Sequence, residues 1–297
     1  MKLRTFLLIY FVLFIGKTHN LQAQNFDNVV IKAQKVSEHV FMLQGAGGNI
    51  GVFVGQKGVF VIDDQFGALT PKIEAKIKTL STLPLTYLVN THFHGDHTGG
   101  NENMAKLGAQ IIAHENVRSR LENTPKRDGT MAPTAALPII TFSERLNLFM
   151  DNEKIAVFHV DNAHTDGDAI LYFTTSNVLH TGDTFFKEKY PYIDLKSGGT
   201  VKGYIDAVKK GLILIDENTK IIPGHGSLAN KADYELFLKM LLELKTKVET
   251  AIANGSNEEH VAQDTTITAN YDKLGYGSGF INSERIRRTF YKSLSQL

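Results

Sequence analysis

The stretch Thr91-His92-Phe93-His94-Gly95-Asp96-His97-Thr98-Gly99-Gly100 places three imidazoles and a carboxylate within six positions. It closely follows the apolar run 85–89, which is typical of a buried strand. Imidazole and carboxylate are ligands that zinc prefers, and residues two apart on an extended segment share a face. His92 and His94 are therefore expected to bind one ion together. Asp96 and His97 follow a glycine and are expected to point elsewhere, which indicates a second ion beside the first.

The first 23 residues have the pattern of a secretory signal. Lys2 and Arg4 precede an apolar run, 6–15, that is too short to span a bilayer, and a polar stretch then leads to Leu21-Gln22-Ala23 before Gln24. Leu21 stands where a small residue is usual at a cleavage site, so an uncleaved N-terminal anchor remains the alternative. In both cases the folded part is expected outside the cytoplasm, periplasmic or secreted. Without a cysteine for lipid attachment or a second spanning stretch, we expect no stable membrane insertion after cleavage.

Composition narrows the partners and the metal chemistry. The chain holds 32 Lys and Arg against 31 Asp and Glu, and removal of residues 1–23 leaves 29 against 31. That slightly acidic balance does not fit a nucleic-acid-binding protein. The chain contains no cysteine, so an exported form has no disulfides, and thiolate-rich structural zinc sites are excluded. Residues 24–297 are enough for one domain to bury its own core.

Hydrophobic patterning predicts an α/β protein in two similar halves within a single domain, 24–297. Each half begins with strands and continues with strand–helix units. Strands are predicted at 39–43, 49–54, 59–62, 85–89 and 110–113, and then at 145–149, 154–160, 169–174, 178–180 and 220–222. Helices are predicted at 70–80, 101–107, 115–122 and 201–215, with a helical tail from about 231 to 297 that includes 234–254 and 282–294. The segment 123–138 has the composition of a loop that covers a site.

Three further positions share one local pattern, in which a strand ends in a small, often Gly-containing turn that carries a ligand-type residue. They are His164 in Val160-Asp161-Asn162-Ala163-His164-Thr165, Asp183 in Leu179-His180-Thr181-Gly182-Asp183-Thr184, and His225 in Ile222-Pro223-Gly224-His225-Gly226. Functional groups at strand ends, with glycines that allow close approach, are how layered α/β proteins build sites. A single histidine of this kind is usually only solvated, so it is the set that indicates a site.

These motifs in this order closely resemble those of the metallo-β-lactamase superfamily of zinc hydrolases. The resemblance covers most of residues 36–228 and implies a four-layer αββα sandwich with a dinuclear site along one edge. It implies that His92, His94 and His164 bind the first zinc, that Asp96, His97 and His225 bind the second, and that Asp183 bridges both. Asp63, at the end of the strand 59–62, matches the carboxylate that orients a ligand imidazole in that family; capping of a turn is the alternative.

The resemblance also implies a mechanism. A hydroxide bridging two Zn²⁺ ions would be the nucleophile, because zinc lowers the pKa of bound water from 15.7 to about 7. Asp96 would orient it as the catalytic carboxylate. Iron or manganese would suit the same ligands. Tyr190 and Tyr192 are candidates for the mouth of the substrate site, with aromatic packing as the alternative. His114 and His180 are expected to make ordinary hydrogen bonds.

Departures from the best-known members favour one branch. Many β-lactamases of this fold use a cysteine ligand that this chain lacks, and its His and Asp set resembles glyoxalase II, lactonase and thioesterase-like members. The expectation is an exported di-zinc hydrolase of a small-molecule ester, thioester, lactone or amide. The alternatives are a β-lactamase, a zinc-binding protein without turnover, and a structural domain that kept the fold. The sequence leaves the oligomeric state open.

Overall fold

The computed structural model describes residues 25–125 and 128–295. The predicted export signal, 1–23, lies outside the described residues, so it stays a prediction. Within the described ranges, no helix is both long enough and apolar enough to cross a membrane.

The first half of the chain forms a seven-stranded sheet in which the strands follow one another in sequence order. The first four strands pair antiparallel, and the last four run parallel to one another. Their bounds are β1 (Lys32–Lys35), β2 (Val40–Gln44), β3 (Ile50–Val54), β4 (Val59–Ile62), β5 (Leu85–Val89), β6 (Gln110–His114) and β7 (Ile140–Phe142).

The second half forms a six-stranded sheet with the order β13-β12-β11-β10-β9-β8. Its pairing pattern resembles that of the first sheet. Antiparallel strands come first, and a parallel pair, the strands 178–180 and 220–222, follows them. Its strands are β8 (Arg145–Met150), β9 (Glu153–His159), β10 (Ala169–Phe173), β11 (Val178–His180), β12 (Lys220–Ile222) and β13 (Ala229–Asn230).

Helices cover the outer face of each sheet. Ile73, Ile77 and Met104 pack on the outside of the first sheet, and Tyr204, Phe237 and other buried residues of the later helices pack on the outside of the second. The helices are α1 (Thr70–Lys78), α2 (Gly95–Thr98), α3 (Asn101–Lys106), α4 (Glu115–Asn123), α5 (Val201–Leu214), α6 (Lys231–Ala253), α7 (Glu258–Gln263), α8 (Ala269–Asp272) and α9 (Ser283–Leu294).

The two sheets pack face to face around one apolar layer. Phe53 and Phe60 from the first sheet contact the ring of Phe173 from the second, with centroids 5.9 and 6.1 Å apart. Alternate residues of both sheets fill this layer and are almost fully buried. The predicted αββα sandwich is therefore confirmed.

Several elements differ from the predictions. The strands β1, β7 and β13 were not predicted, since β1 is an exposed polar edge strand and β7 and β13 are only three and two residues long. The tail, as far as residue 295, holds four α-helices, α6 to α9, rather than two. The segment 123–138 is a loop for most of its described length and contains one short 3₁₀ turn at Thr134–Ala136.

Candidate metal centre

The site residues come together because both sheets end their strands at the same edge of the sandwich. His92 and His94 follow β5, and His97 lies on the short helix α2 just after it. From the second sheet, His164 lies between β9 and β10, Asp183 follows β11 and His225 follows β12. Each sheet thus supplies part of one cluster.

A first group consists of His92, His94 and His164. Their ring centroids lie 4.6 to 4.9 Å apart, and Nε2 of His164 is 2.8 Å from Nδ1 of His94. One nitrogen of each ring lies within 4.8 Å of the others, an arrangement that could hold an ion. The i and i+2 spacing therefore does bring His92 and His94 to one place.

A second group consists of Asp96, His97 and His225. Oδ2 of Asp96 lies 3.7 Å from Nε2 of His97 and 3.4 Å from Nε2 of His225. These atoms also lie within 4.8 Å of one another, so the group is a second candidate for an ion.

Asp183 lies between the two groups. Its Oδ2 faces the first group, at 3.9 Å from Nε2 of His92 and 3.6 Å from Nε2 of His164. Its Oδ1 faces the second group, at 3.1 Å from Nε2 of His97 and 3.4 Å from Nε2 of His225. One carboxylate therefore presents a separate oxygen to each group.

The far side of each of three imidazole rings is held by a hydrogen bond. Nδ1 of His97 is 2.8 Å from Oδ2 of Asp63. Nδ1 of His164 is 2.7 Å from the carbonyl oxygen of Tyr192. Nε2 of His94 is 3.1 Å from Oδ2 of Asp194. Such contacts select the tautomer and the orientation of a ligand ring.

Asp194 is the residue of this shell that the sequence analysis missed. It lies in the loop after Tyr190-Pro191-Tyr192, far in sequence from His94, and no motif marks it. Burial would raise the pKa of Asp194, but the hydrogen bond with His94 holds that pKa well below its usual value. Asp194 is therefore an ionised acceptor for the His94 ring.

The pKa values of the site histidines shift in two directions, depending on burial and on nearby carboxylates. Burial lowers the pKa of His92 well below its usual value and that of His164 to about 4, so both rings are neutral and keep a free lone pair. Burial would also lower the pKa of His225, but Asp183 and Asp96 raise it to about 9. For Asp183, burial would raise the pKa, but His225 and His97 hold it well below its usual value.

The buried polar atoms at the centre fit metal ions. Nε2 of His92, Nε2 of His97 and Oδ1 of Asp183 are buried and make no well-formed hydrogen bond, although the last two lie only 3.1 Å apart. Orphaned buried donors and acceptors are rare in native proteins, and an ion is one of the few groups that resolves them. Nitrogen and oxygen donors without thiolate suit zinc and also iron or manganese.

A cavity of about 1030 Å³ opens over the cluster. Asp96, Asp183 and His225 lie at its floor, together with aromatic side chains that include Phe93 and Phe186. The described part of the 123–138 loop lines one wall through Thr124, Pro125, Asp128, Ala132 and Ala136.

The two tyrosines that the sequence placed at the mouth have different positions. Tyr192 lines the cavity and stacks on the His94 ring, with centroids 5.7 Å apart. Tyr190 also contributes to the wall, but it is 2% exposed and its hydroxyl is bound by Asp272 at 2.7 Å. Its hydroxyl therefore serves the packing of the C-terminal helices.

The other two neighbouring histidines make ordinary hydrogen bonds, as predicted. Nε2 of His114 lies 2.8 Å from the carbonyl oxygen of Ser143, and its Nδ1 accepts from the N–H of Asn116. Nε2 of His180 lies 3.2 Å from the carbonyl oxygen of Asn49. Neither belongs to a candidate metal group among the described residues.

Curated proteins of known activity match part of this sequence. The hydroxyacylglutathione hydrolase of Pelagibacter ubique is 30% identical over 145 residues, which are 48% of this chain and 52% of that protein. That of Nitrosococcus oceani is 26% identical over 174 residues, 55% of this chain and 60% of that protein. The chain thus spans little more than half the length of the curated relatives it matches.

Solved structures show the same architecture. A metallo-beta-lactamase from Pontibacter korlensis superimposes with a TM-score of 0.61 over 71% of this chain and 99% of that chain, at 18% identity. At that identity the likeness concerns the fold alone. The model of the metallo-beta-lactamase superfamily matches residues 43–243, a range that includes every residue of both candidate groups and Asp183 between them. The chain belongs to the metallo-beta-lactamase superfamily.

Proposed function

We propose that this chain is an exported metal-dependent hydrolase with two ions, in the first instance Zn²⁺. The observation that carries the proposal is the divided carboxylate of Asp183, with Oδ2 toward one group of imidazoles and Oδ1 toward the other. In this proposal the first ion is held by His92, His94 and His164, and the second by Asp96, His97 and His225, with Asp183 shared.

The ions, when bound, supply an activated water nucleophile and a Lewis acid for the substrate carbonyl. The residues of the chain do the rest. Asp96 is 30% exposed and lines the cavity, so its carboxylate can accept a hydrogen bond from the attacking water and orient it. Asp63 and Asp194 keep the His97 and His94 rings oriented.

The proposed substrate is a small ester, thioester, lactone or amide. The names of the hydroxyacylglutathione hydrolases support this class, since they describe the hydrolysis of an acyl compound. The cavity of about 1030 Å³ is large enough for a small organic molecule. A β-lactamase activity is a separate outcome of the same experiment.

The test is metal analysis combined with a substrate panel. We expect purified protein loaded with zinc to hold about two ions per chain and to hydrolyse a p-nitrophenyl ester, a thioester or a lactone. A chelator should abolish the activity, and added zinc should restore it. Chelator-resistant turnover would contradict the proposal. Two bound ions with no turnover would favour a zinc-binding protein, and preferential cleavage of a chromogenic β-lactam would favour a β-lactamase.

The export part of the proposal rests on the residues 1–23 alone. Expression of the full chain in a Gram-negative host should place it in the periplasm or the medium, with a new N-terminus near Gln24. If the chain stayed in the cytoplasmic fraction and kept residues 1–23, the export proposal would be contradicted.

A further inference from the structure

One end of the cavity carries an aromatic side chain that is largely exposed and therefore contributes little to the hydrophobic core. Phe280 lines the cavity and is 75% exposed. Its ring lies edge-on to that of Tyr192, with centroids 5.7 Å apart. Large exposed aromatic side chains at the rim of a cavity are typical of ligand-binding surfaces.

The guanidinium of Arg285 lies over both of these rings. Its Cζ is 4.6 Å from the Phe280 centroid and 5.3 Å from the Tyr192 centroid. Cation–π contacts of this kind hold a guanidinium in place without cancelling its charge. Lys189 also lines the cavity, and its side chain lies beside Gly279, the residue that precedes Phe280.

The charge of Arg285 is not neutralised by a carboxylate within 4.0 Å among residues 25–125 and 128–295, and neither is that of Lys189. Other arginines nearby are neutralised. Arg120, which also lines the cavity, forms a bidentate pair with Asp166 in which both contacts are 2.6 Å long. Arg288, one turn along α9, contacts Glu258, Glu259 and Glu284.

The Phe280 end of the cavity therefore carries positive charge. Lys189 lines the cavity there, and Arg285 lies over the rings of the lining residues Phe280 and Tyr192. A negatively charged group would be attracted to the Arg285 end, and an apolar body would cover the exposed face of Phe280.

We propose that Lys189, Phe280 and Arg285 form a subsite for a carboxylate at the remote end of the substrate, so that the enzyme acts on acyl compounds whose apolar body ends in an anionic group. The assignment of this group as part of a substrate rests on the proposed hydrolase function. The subsite itself is a binding site, and it can be tested without turnover.

The stacked rings set the length of such a substrate. The centroid of Tyr192 is 5.7 Å from that of His94, and Arg285 Cζ is 5.3 Å from the Tyr192 centroid. Laid end to end, these distances place the guanidinium at most about 11 Å from the His94 ring. Suberate, an eight-carbon dicarboxylate, separates its carboxyl carbons by about 9 Å when extended, given carbon–carbon bonds near 1.5 Å.

The kinetic test compares p-nitrophenyl hydrogen suberate with p-nitrophenyl methyl suberate, which differ only in the remote charge. In Arg285→Gln, KM for the anionic ester should rise about tenfold, equivalent to about 1.4 kcal/mol. The kcat for that ester and both constants for the neutral ester should change little. Arg285→Lys should recover part of the loss. Arg288→Gln is the matched control on the same helix, and both esters should behave as with the parent protein.

The binding test measures suberate by calorimetry on the zinc-loaded protein. Affinity that falls about tenfold in Arg285→Gln but not in Arg288→Gln supports the subsite, even if neither ester is hydrolysed and the hydrolase proposal fails. If both esters are hydrolysed with equal KM in the parent protein and in Arg285→Gln, the subsite is refuted while the hydrolase proposal stands. Melting curves of all variants confirm that each is folded.

Discussion

Nδ1 of His97 lies 2.8 Å from Oδ2 of Asp63, and both side chains are fully buried. Asp63 has a φ of 60°, in the left-handed region that few residues other than glycine adopt. Its carboxylate also accepts the N–H and the hydroxyl of Thr91. The end of β4 is thereby tied to the segment after β5, and the His97 ring keeps its Nε2 directed at Asp183.

Asp63→Asn should weaken binding of the second ion about 10- to 100-fold, because an amide supplies no negative charge and has one acceptor oxygen where the carboxylate uses two, for Thr91 and for His97. Asparagine tolerates the left-handed backbone, so the fold should survive. Zinc affinity against a competing chelator measures the effect. Asp161→Asn, an exposed carboxylate, is the control. Unchanged affinity in Asp63→Asn would leave Asp63 with a capping role only.

His225→Ala should lose mainly one ion of two, because Nε2 of His225 lies beside Asp96 of the second group and beside Asp183. The three imidazoles of the first group keep their arrangement. Metal analysis after gel filtration gives the stoichiometry. Retention of both ions would show that the assignment of His225 is wrong.

Asp194→Ala should weaken binding of the first ion rather than binding of the second. The His94 ring loses the acceptor at its Nε2, so its Nδ1 is no longer fixed toward His164, and an affinity loss of about 10- to 100-fold is expected. Cobalt(II) substitution reports the ligand field of each ion separately. A spectral change at the second ion alone would refute the assignment.

Two glycines near the centre should differ sharply on substitution by alanine. A Cβ at Gly48 would lie 2.0 Å from Cε1 of His97, so Gly48→Ala should displace that ring and lower the metal content toward one ion. A Cβ at Gly95 would meet nothing within 4 Å, although Gly95 lies inside the histidine motif. Gly95→Ala should therefore keep two ions. Equal metal content in the two variants would contradict this.

Tyr190→Phe should lower the free energy of unfolding by about 1 kcal/mol and leave KM unchanged. The lost hydroxyl is bound to Asp272, which keeps its bonds from Ser283 and Thr268. Tyr276→Phe, a neighbouring ring with no hydrogen-bonded hydroxyl in the described ranges, is the control for denaturant titration. A raised KM in Tyr190→Phe would instead place its hydroxyl on the substrate.

The fold was largely predictable because both its sheets have strong apolar patterns. The strand β5 and the motif after it could be recognised from local spacing, since ligand types and strand periodicity lie within one short segment. The edge strand β1 could not, because its four residues are all exposed and carry no alternation. The three-residue strand β7 is recognisable only from its pairing with β6.

Site residues could be predicted where they follow the end of a strand. They could not be predicted where only a contact in the folded structure identifies them. His164, Asp183 and His225 each follow a strand in a small turn, and the structure brings all three to one edge. Their roles as ligands stay predictions. Asp194 is 100 residues from its partner His94 and belongs to a loop, so nothing local distinguishes it from a solvated aspartate.

Asp183 reaches His92 and His97 only when the second sheet lies against the first. His92 and His97 belong to one sheet edge, and Asp183 and His225 to the other, so neither half of the chain alone contains a complete pair of groups. Metal binding is then linked to folding: an ion that favours the joined halves stabilises them by mass action. We therefore expect the ions to bind late in folding, after the two sheets have packed together, and to stabilise the packed state.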